Sequence, residues 1–163
     1  VIRIRDLEEK DRSIIGSWPS YPPEFKALDY ALRENGWIAE YSVKPDTRCF
    51  AVERDGDVIA FTLLSKTGAD EAEFRIAVRA DCIGSGLGSS IAALTFEKGF
   101  SAMGLFRIHL IVRKSNTRAA GLYKRLGFVE RGEIQKTVNG ELTDFYVMDL
   151  DKQGGSAWKR WIE

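Results

Sequence analysis

The chain has one histidine, two cysteines and no excess of charge of either sign. Each scarcity removes a class of function. With His109 as the lone imidazole, a histidine-ligated zinc site or a Ser-His-Asp hydrolase has little support. Cys49 and Cys82 have neither the density of a disulfide framework nor the spacing of a metal knuckle, so no staple and no metal is expected. Lysine plus arginine and aspartate plus glutamate number 24 each, a balance that provides no broad attraction to nucleic acid. No apolar run reaches bilayer length, so no membrane span is expected. No secretory leader is read in the opening residues, which makes the cytoplasm the expected compartment. Small molecules and proteins remain as partners, with a homodimer left open.

The 163 residues are 44% hydrophobic and 29% charged, the balance of an ordinary globular chain. A chain of this length buries about 70% of its unfolded surface in one core. We expect a single domain over residues 1–150 and a C-terminal tail over 151–163, whose Trp158 and Trp161 can dock on the domain or on a partner. The stretch "VIRIR" reads as an opening strand, with Asp6 capping a short helix through "LEEKDRSIIGSW". After "SWPSYPP", a second helix is expected from Pro23 to Asn35, where Phe25, Leu28 and Leu32 share a face and Gly36 supplies a stop.

Strands follow. "RCFAVER" and "DVIAFTLLS" flank Asp55-Gly56, a hairpin signal, and "EAEFRIAV" continues the meander. In that third run Ala72, Phe74, Ile76 and Val78 form one face, leaving Glu71, Glu73 and Arg75 on the other. "LGSSIAALTFEKGFSAM" has helical spacing at Leu87, Ile91, Leu94 and Lys98. In the strand "FRIHLIV" the period of two gives His109 a structural place. "TRAAGLYKRL" is a helix closed by Gly127, and "FVERGEIQKTV" pairs with "LTDFYVMDL" across Asn139-Gly140.

Between strand and helix lies "CIGSGLGSS", with Gly84, Gly86 and Gly88 at every second position. Glycine costs roughly 0.5–1 kcal/mol against alanine in regular structure, so such a cluster marks backbone that turns tightly or lets something approach. Backbone N–H groups at a helix start bind phosphate. No lysine follows as in a Walker loop, and Ser89 stands where a dinucleotide fingerprint needs its last glycine or alanine.

At this point the chain resembles the GNAT superfamily of acyl-CoA N-acyltransferases. "IAVRADCIGSGLGSSI" looks like the strand and pyrophosphate loop of that family, and "NTRAAGLYKRLGFVERG" like its following helix, turn and strand. The second stretch is the more specific. The order of elements matches from residue 2 to about 150. Within the family, "TDFYVMDL" and "ERGEI" are most similar to members that acetylate ribosomal-protein N-termini, polyamines or amino sugars. The resemblance implies an α/β fold with a mixed, mostly antiparallel central sheet, flanking helices, and fourth and fifth strands that splay apart.

It also implies acetyl-CoA as co-substrate, an amine acceptor and no metal. The coenzyme would lie against Ile76, Ala77 and Val78, the loop from Gly84 through Ser85, Gly86, Leu87, Gly88 and Ser89, and Asn116 and Tyr123. The family commonly has arginine or glutamine ahead of the first loop glycine. Here stand Asp81, Cys82 and Ile83, so the pyrophosphate must rely on backbone N–H groups of residues 84–89, the Ser85 and Ser89 hydroxyls, and a cation such as Arg79 or Arg125. Cys82 reads as a loop residue.

Amide formation needs a neutral amine, a donor for the developing oxyanion and an acid for the leaving thiolate. The resemblance assigns the acid to Tyr123 and the oxyanion donor to a backbone N–H near Ala77 or Val78. Glu73 is the candidate base, through water, and reads equally well as a solvated strand-face charge. Trp18, Tyr21 and Trp37 are expected to wall the acceptor pocket, with Glu24 or Asp29 attracting a cationic amine. The alternative is a silent acyl-CoA-binding or protein-interaction module of the same fold, favoured by the departure at Asp81, Cys82 and Ile83.

Overall fold

Two Asx-Gly turns set the hairpins. Asp55 and Gly56 adopt φ of 53° and 85°, and Asn139 and Gly140 adopt 53° and 81°, the paired positive values that match the twist of flanking strands. The structure, a computed structural model, describes residues 1–23 and 36–162. The helix expected from Pro23 to Asn35 therefore lies, beyond its first residue, outside the described residues, and so do Glu24 and Asp29.

Seven strands form one sheet: β1 (Ile2–Asp6), β2 (Thr47–Arg54), β3 (Asp57–Gly68), β4 (Glu71–Val78), β5 (Arg107–Arg113), β6 (Val129–Val138) and β7 (Glu141–Asp151), in the order β1-β2-β3-β4-β5-β7-β6. Every neighbouring pair is antiparallel except β4 with β5. That pair carries three rungs, Glu71 to Arg107, Ala72 to Ile108 and Glu73 to His109. Beyond them β4 stays with β3 as far as Val78, while β5 stays with β7 as far as Arg113. The two strands part after Glu73, and the sheet opens into a fork at its centre. The mixed sheet and its splay are as the resemblance implies.

Helices cover both faces. The described α-helices are α1 (Glu9–Gly16), α2 (Trp37–Tyr41), α3 (Leu87–Glu97) and α4 (Thr117–Arg125). One face of the sheet packs Phe50, Leu64, Phe74 and Ile108 with Phe96 of α3, Tyr123 of α4 and Phe128. On the other face Ala51, Val58, Phe61 and Ala77 meet Ile15 of α1, with Trp18, Trp37 and Ile38 against them. The alternation along β4 divides its side chains as expected, and Ala77 joins the face of Glu73 and Arg75. Among the described residues no helix is long and apolar enough to cross a membrane.

Three local readings are corrected. Glu8, not Asp6, is the N-cap of α1. Asp6 ends β1 and accepts a hydrogen bond from Arg48 at 2.7 Å, while the α1 start is held by Asp11, whose carboxylate accepts the Glu8 N–H at 2.8 Å and two Arg5 N–H groups at 2.6 and 2.9 Å. The buried surface of α3 is wider than a Leu87, Ile91, Leu94 and Lys98 stripe, since Ser89, Ala92, Ala93, Thr95 and Phe96 are buried with Ile91. Its last turn widens to a π-helical turn over Lys98–Ala102, within which Gly99 passes so close to β3 that a Cβ there would stand 2.9 Å from Leu64 Cδ1. The tail folds back: Trp158 is buried and stacks on Phe100, with ring centroids 5.7 Å apart.

Candidate active site

The fork exposes backbone of defined polarity. In an antiparallel pair the N–H and C=O of one residue point to the same side and those of the next residue to the other. Arg79 N–H bonds to Ile59 O at 2.7 Å, and the register pairs Ala77 with Phe61 and Val78 with Ala60. Ala77 therefore turns its N–H to β3, whereas Val78 and Ile76 turn theirs towards the gap that β5 has left. The Val78 carbonyl is taken by the Tyr21 hydroxyl at 2.8 Å, consistent with that orientation. Of the two oxyanion candidates, Val78 has its N–H on the open side and Ala77 does not.

The glycine loop lies between β4 and α3. Gly84 and Gly86 have φ of 78° and 84°, a region that side chains rarely adopt, and a Cβ at either would meet nothing within 4 Å. Gly86 is the N-cap of α3, whose first-turn N–H groups have no intrahelical acceptor and whose first turn holds no acidic residue. Gly88 has a different reason to be glycine. A Cβ there would stand 3.1 Å from Leu122 Cδ1, so this position lets α3 and α4 approach. The Ser85 hydroxyl turns back to donate to Cys82 O at 2.5 Å, and Ser89 is buried.

Arg79 holds Asp81 by two hydrogen bonds of 2.6 and 3.1 Å, which keeps the Asp81 carboxyl below the usual carboxylate range. Its charge is thereby compensated beside the loop. Arg125 has no such partner among the described residues, and it shares with Leu122 the face of α4 that meets Gly88. Cys82 is buried in the loop, with Arg54 and Arg79 nitrogens 3.7 and 4.0 Å from its sulfur.

Behind the fork stands Tyr123. Its ring packs edge-on to Phe74 at 6.2 Å and tilted to Phe128 at 5.6 Å, and burial pushes its phenol well above the ordinary tyrosine value. The hydroxyl has no hydrogen-bond partner among the described residues. Asn116 is the N-cap of α4, its side-chain oxygen accepting the Ala119 N–H at 3.2 Å, so its carbonyl is committed to the helix start.

Glu73 occupies the opposite face of β4, at the last rung before the strands part. Arg75 Nε donates to its Oε1 at 3.1 Å, and the Tyr41 hydroxyl approaches the same oxygen at 3.5 Å. Burial, with Glu73 adding and Arg75 opposing, pushes the Tyr41 phenol up to about 12. A cleft of about 390 Å³ opens here, lined by Tyr41, Lys44, Asp46, Ser65, Lys66 and Glu73 among others. Trp37 stands edge-on to Phe61 at 6.3 Å and joins Glu73 through Arg75, whose guanidinium carbon is 5.2 Å from the indole centre. Trp18 packs on Phe61 at 6.5 Å and lines a separate cleft of about 750 Å³ with Arg5, Asp11, Arg79 and Asp81.

Glu73 and Tyr123 thus belong to opposite faces, and only the fork connects them. Sequence reasoning missed Tyr41 and left Arg75 without a role. The one available signal was that Arg75 shares the i, i+2 face of Glu73. Among the described residues no three His, Cys, Asp or Glu side chains are grouped to hold a metal.

Comparison with known proteins places this geometry in context. Residues 5–128 match the Acetyltransferase (GNAT) family. Spermidine N(1)-acetyltransferase of Escherichia coli (strain K12) is 34% identical over 98 residues, which are 58% of this chain and 53% of that protein. The protein of the same name from Vibrio cholerae serotype O1 is 31% identical over 75 residues, 45% of this chain and 43% of the relative. The chain spans about half the length of the curated relatives it matches. Among solved structures, spermidine N-acetyltransferase from Vibrio cholerae in complex with CoA and spermine superposes with a TM-score of 0.78 at 22% identity, over 94% of this chain and 96% of that one. A dodecameric structure of the Vibrio cholerae enzyme gives 0.73 at 23% identity, over 93% and 94%. At these identities the likeness is one of fold.

Proposed function

The chain belongs to the Acetyltransferase (GNAT) family, and from that premise we propose that it transfers an acetyl group from acetyl-CoA to a primary amine by direct attack. The observation that carries the reading is the fork between β4 and β5, flanked by the Gly84 to Ser89 loop on one side and backed by Tyr123. Left-handed glycines with open space around them, at the start of an eleven-residue helix, form a cradle that backbone N–H groups can close on a pyrophosphate. Arg125, three residues beyond the Leu122 that meets Gly88 on α4, is the cation assigned to that cradle. Along the gap, Ile76 turns its backbone N–H and C=O towards the amides of the pantetheine arm, the Val78 carbonyl being held by the Tyr21 hydroxyl.

The residues divide the chemistry. The Val78 N–H receives the charge that develops on the thioester oxygen as the amine nitrogen bonds to the carbonyl carbon. Tyr123, protonated throughout the neutral range, donates to the sulfur as the carbon–sulfur bond breaks. The ammonium proton leaves on the other face, through water to Glu73. A lysine-like amine is neutral in only about one molecule in a thousand at neutral pH, so this last step weighs most for such acceptors. The related proteins named for spermidine support an amine acceptor, with amino sugars and protein N-termini as the other classes. The cytoplasm is the compartment this reading takes.

The test is a thermal scan with acetyl-CoA joined to a coenzyme-release assay. A ligand that binds only the native state at one hundred times its dissociation constant adds about 2.7 kcal/mol of stability. A clear rise of the midpoint, with thiol release on adding an amine, is expected. No rise at saturating acetyl-CoA overturns the reading, and a rise without release from any amine leaves a coenzyme-binding module.

A further inference from the structure

The face of β4 that looks towards α2 carries a guanidinium whose donors are only partly used among the described residues. Arg75 is held by three neighbours. Its Nε is spent on Glu73 at 3.1 Å, and its guanidinium carbon stands 5.2 Å from the Trp37 ring centre and 5.1 Å from that of Tyr41. The side chain is only 20% exposed. Yet its two terminal nitrogens make no hydrogen bond among the described residues. A guanidinium fixed by aromatic rings, with its terminal N–H groups unspent among the described residues, is prepared to bind something that accepts.

The chemistry of the acceptor follows. A polyamine at neutral pH presents ammonium donors and methylenes, so it has no lone pair for Arg75 and brings a like charge beside it. A carboxylate takes two parallel N–H bonds from a guanidinium, and the match is one of shape as well as charge. Arg75 also lies on the same face as Glu73, and the two charged groups meet at 3.1 Å. The site therefore presents an anion and a cation side by side, the arrangement that the neighbouring ammonium and carboxylate of a small zwitterion match. Resting on the acetyl-transfer reading above, we propose that the acceptor is a primary amine that also bears a carboxylate, as in an amino acid, and that Arg75 is the residue that selects it.

The experiment measures coenzyme release with amino acids, the matching amino acid amides and spermidine, each rate corrected for its fraction of free amine. In the unaltered protein an acid is expected to have a KM about 10- to 100-fold below that of its amide, the range of a charge-assisted hydrogen-bonded pair. Arg75→Gln should bring that ratio near one and move preference towards spermidine, because Glu73 loses its cation. Arg75→Lys, which keeps charge without the fork, should restore part of the ratio. The acetyl-CoA thermal shift, retained in both variants, reports that they fold. Acids used no better than amides, spermidine preferred by the unaltered protein, no turnover of any acid, or a preference that survives Arg75→Gln overturns the proposal. Failure of the acetyltransferase reading looks different, since it either removes the acetyl-CoA shift from the unaltered protein or leaves that shift with no coenzyme release from any amine, spermidine included.

Discussion

Asp11 is fully buried and accepts three hydrogen bonds, two of them from Arg5. The Arg5 guanidinium holds its carboxyl below the ordinary value, against the opposing effect of burial. The folded state thus binds the proton less tightly than the unfolded chain. The stability this contributes is complete above the unfolded value of about 4 and drains away as pH falls through the lower folded value. Asp11→Asn should cost about 3 kcal/mol at neutral pH, since it leaves Arg5 short of a partner, and should flatten the acid limb of stability. Urea midpoints for both proteins between pH 2 and 7 measure it, and parallel acid limbs would move the acid sensitivity to another group. Tyr123 is the second residue whose surroundings set its chemistry. Tyr123→Phe keeps the contacts with Phe74 and Phe128, so coenzyme binding should persist while turnover falls about 10²–10⁴-fold. Single-turnover rates decide this, and an unchanged chemical step would leave Tyr123 as packing.

At the scale of elements, the loop between β4 and α3 shows how backbone conformation and ligand approach combine. Gly86 has φ of 84°, and a Cβ at this position would have no neighbouring atom within 4 Å. Gly86→Val therefore acts twice. It should lower the ligand-free midpoint through roughly 1–2 kcal/mol of left-handed strain, and it should abolish the acetyl-CoA shift by filling the open side of the cradle. Thermal scans with and without coenzyme separate the two effects. A shift of unaltered size in the variant would mean that the coenzyme does not approach there. Gly88 shows why such a loop is read only in part from sequence: its spacing equals that of Gly84 and Gly86, yet its φ is not left-handed and its constraint comes from Leu122 on another helix.

At the scale of the molecule, the sheet is closed over by segments from both ends of the chain. Trp158 stacks on Phe100 at the π-helical turn and lies in the same cluster as Phe96, Phe128 and Leu150. Trp158→Ala should cost about 3–5 kcal/mol, the usual loss for a buried large aromatic, and truncation after residue 153 should cost at least as much. Equilibrium denaturation measures both. A change below about 1 kcal/mol would make the tail an ornament of the surface, not a part of the core. The same cluster contains Tyr123, so such variants are expected to lower turnover as well as stability.

Wherever the controlling interaction is local, the sequence by itself determined the outcome. The Asp55-Gly56 and Asn139-Gly140 hairpins, the alternation along β4 and the closure of α4 at Gly127 depend on residues within a few positions of one another, and each formed as its pattern requires. The anchoring of Asp11 was decided in part by tertiary structure, because the Glu8–Asp11 capping box is local whereas the Arg5 that holds the carboxylate is itself held by Glu53 across the β1–β2 pair. So was the choice of Val78 over Ala77 as the N–H facing the gap, which depends on the β3 register and cannot be read along one strand. The fork itself exists because β3 and β7 draw β4 and β5 apart beyond Glu73. Arg75 acquired its surroundings in the same way: Trp37 and Tyr41 come from a short helix distant in sequence, and tertiary packing, in which Trp37 meets Phe61 and Tyr41 approaches Glu73, sets the aromatic rings beside its guanidinium.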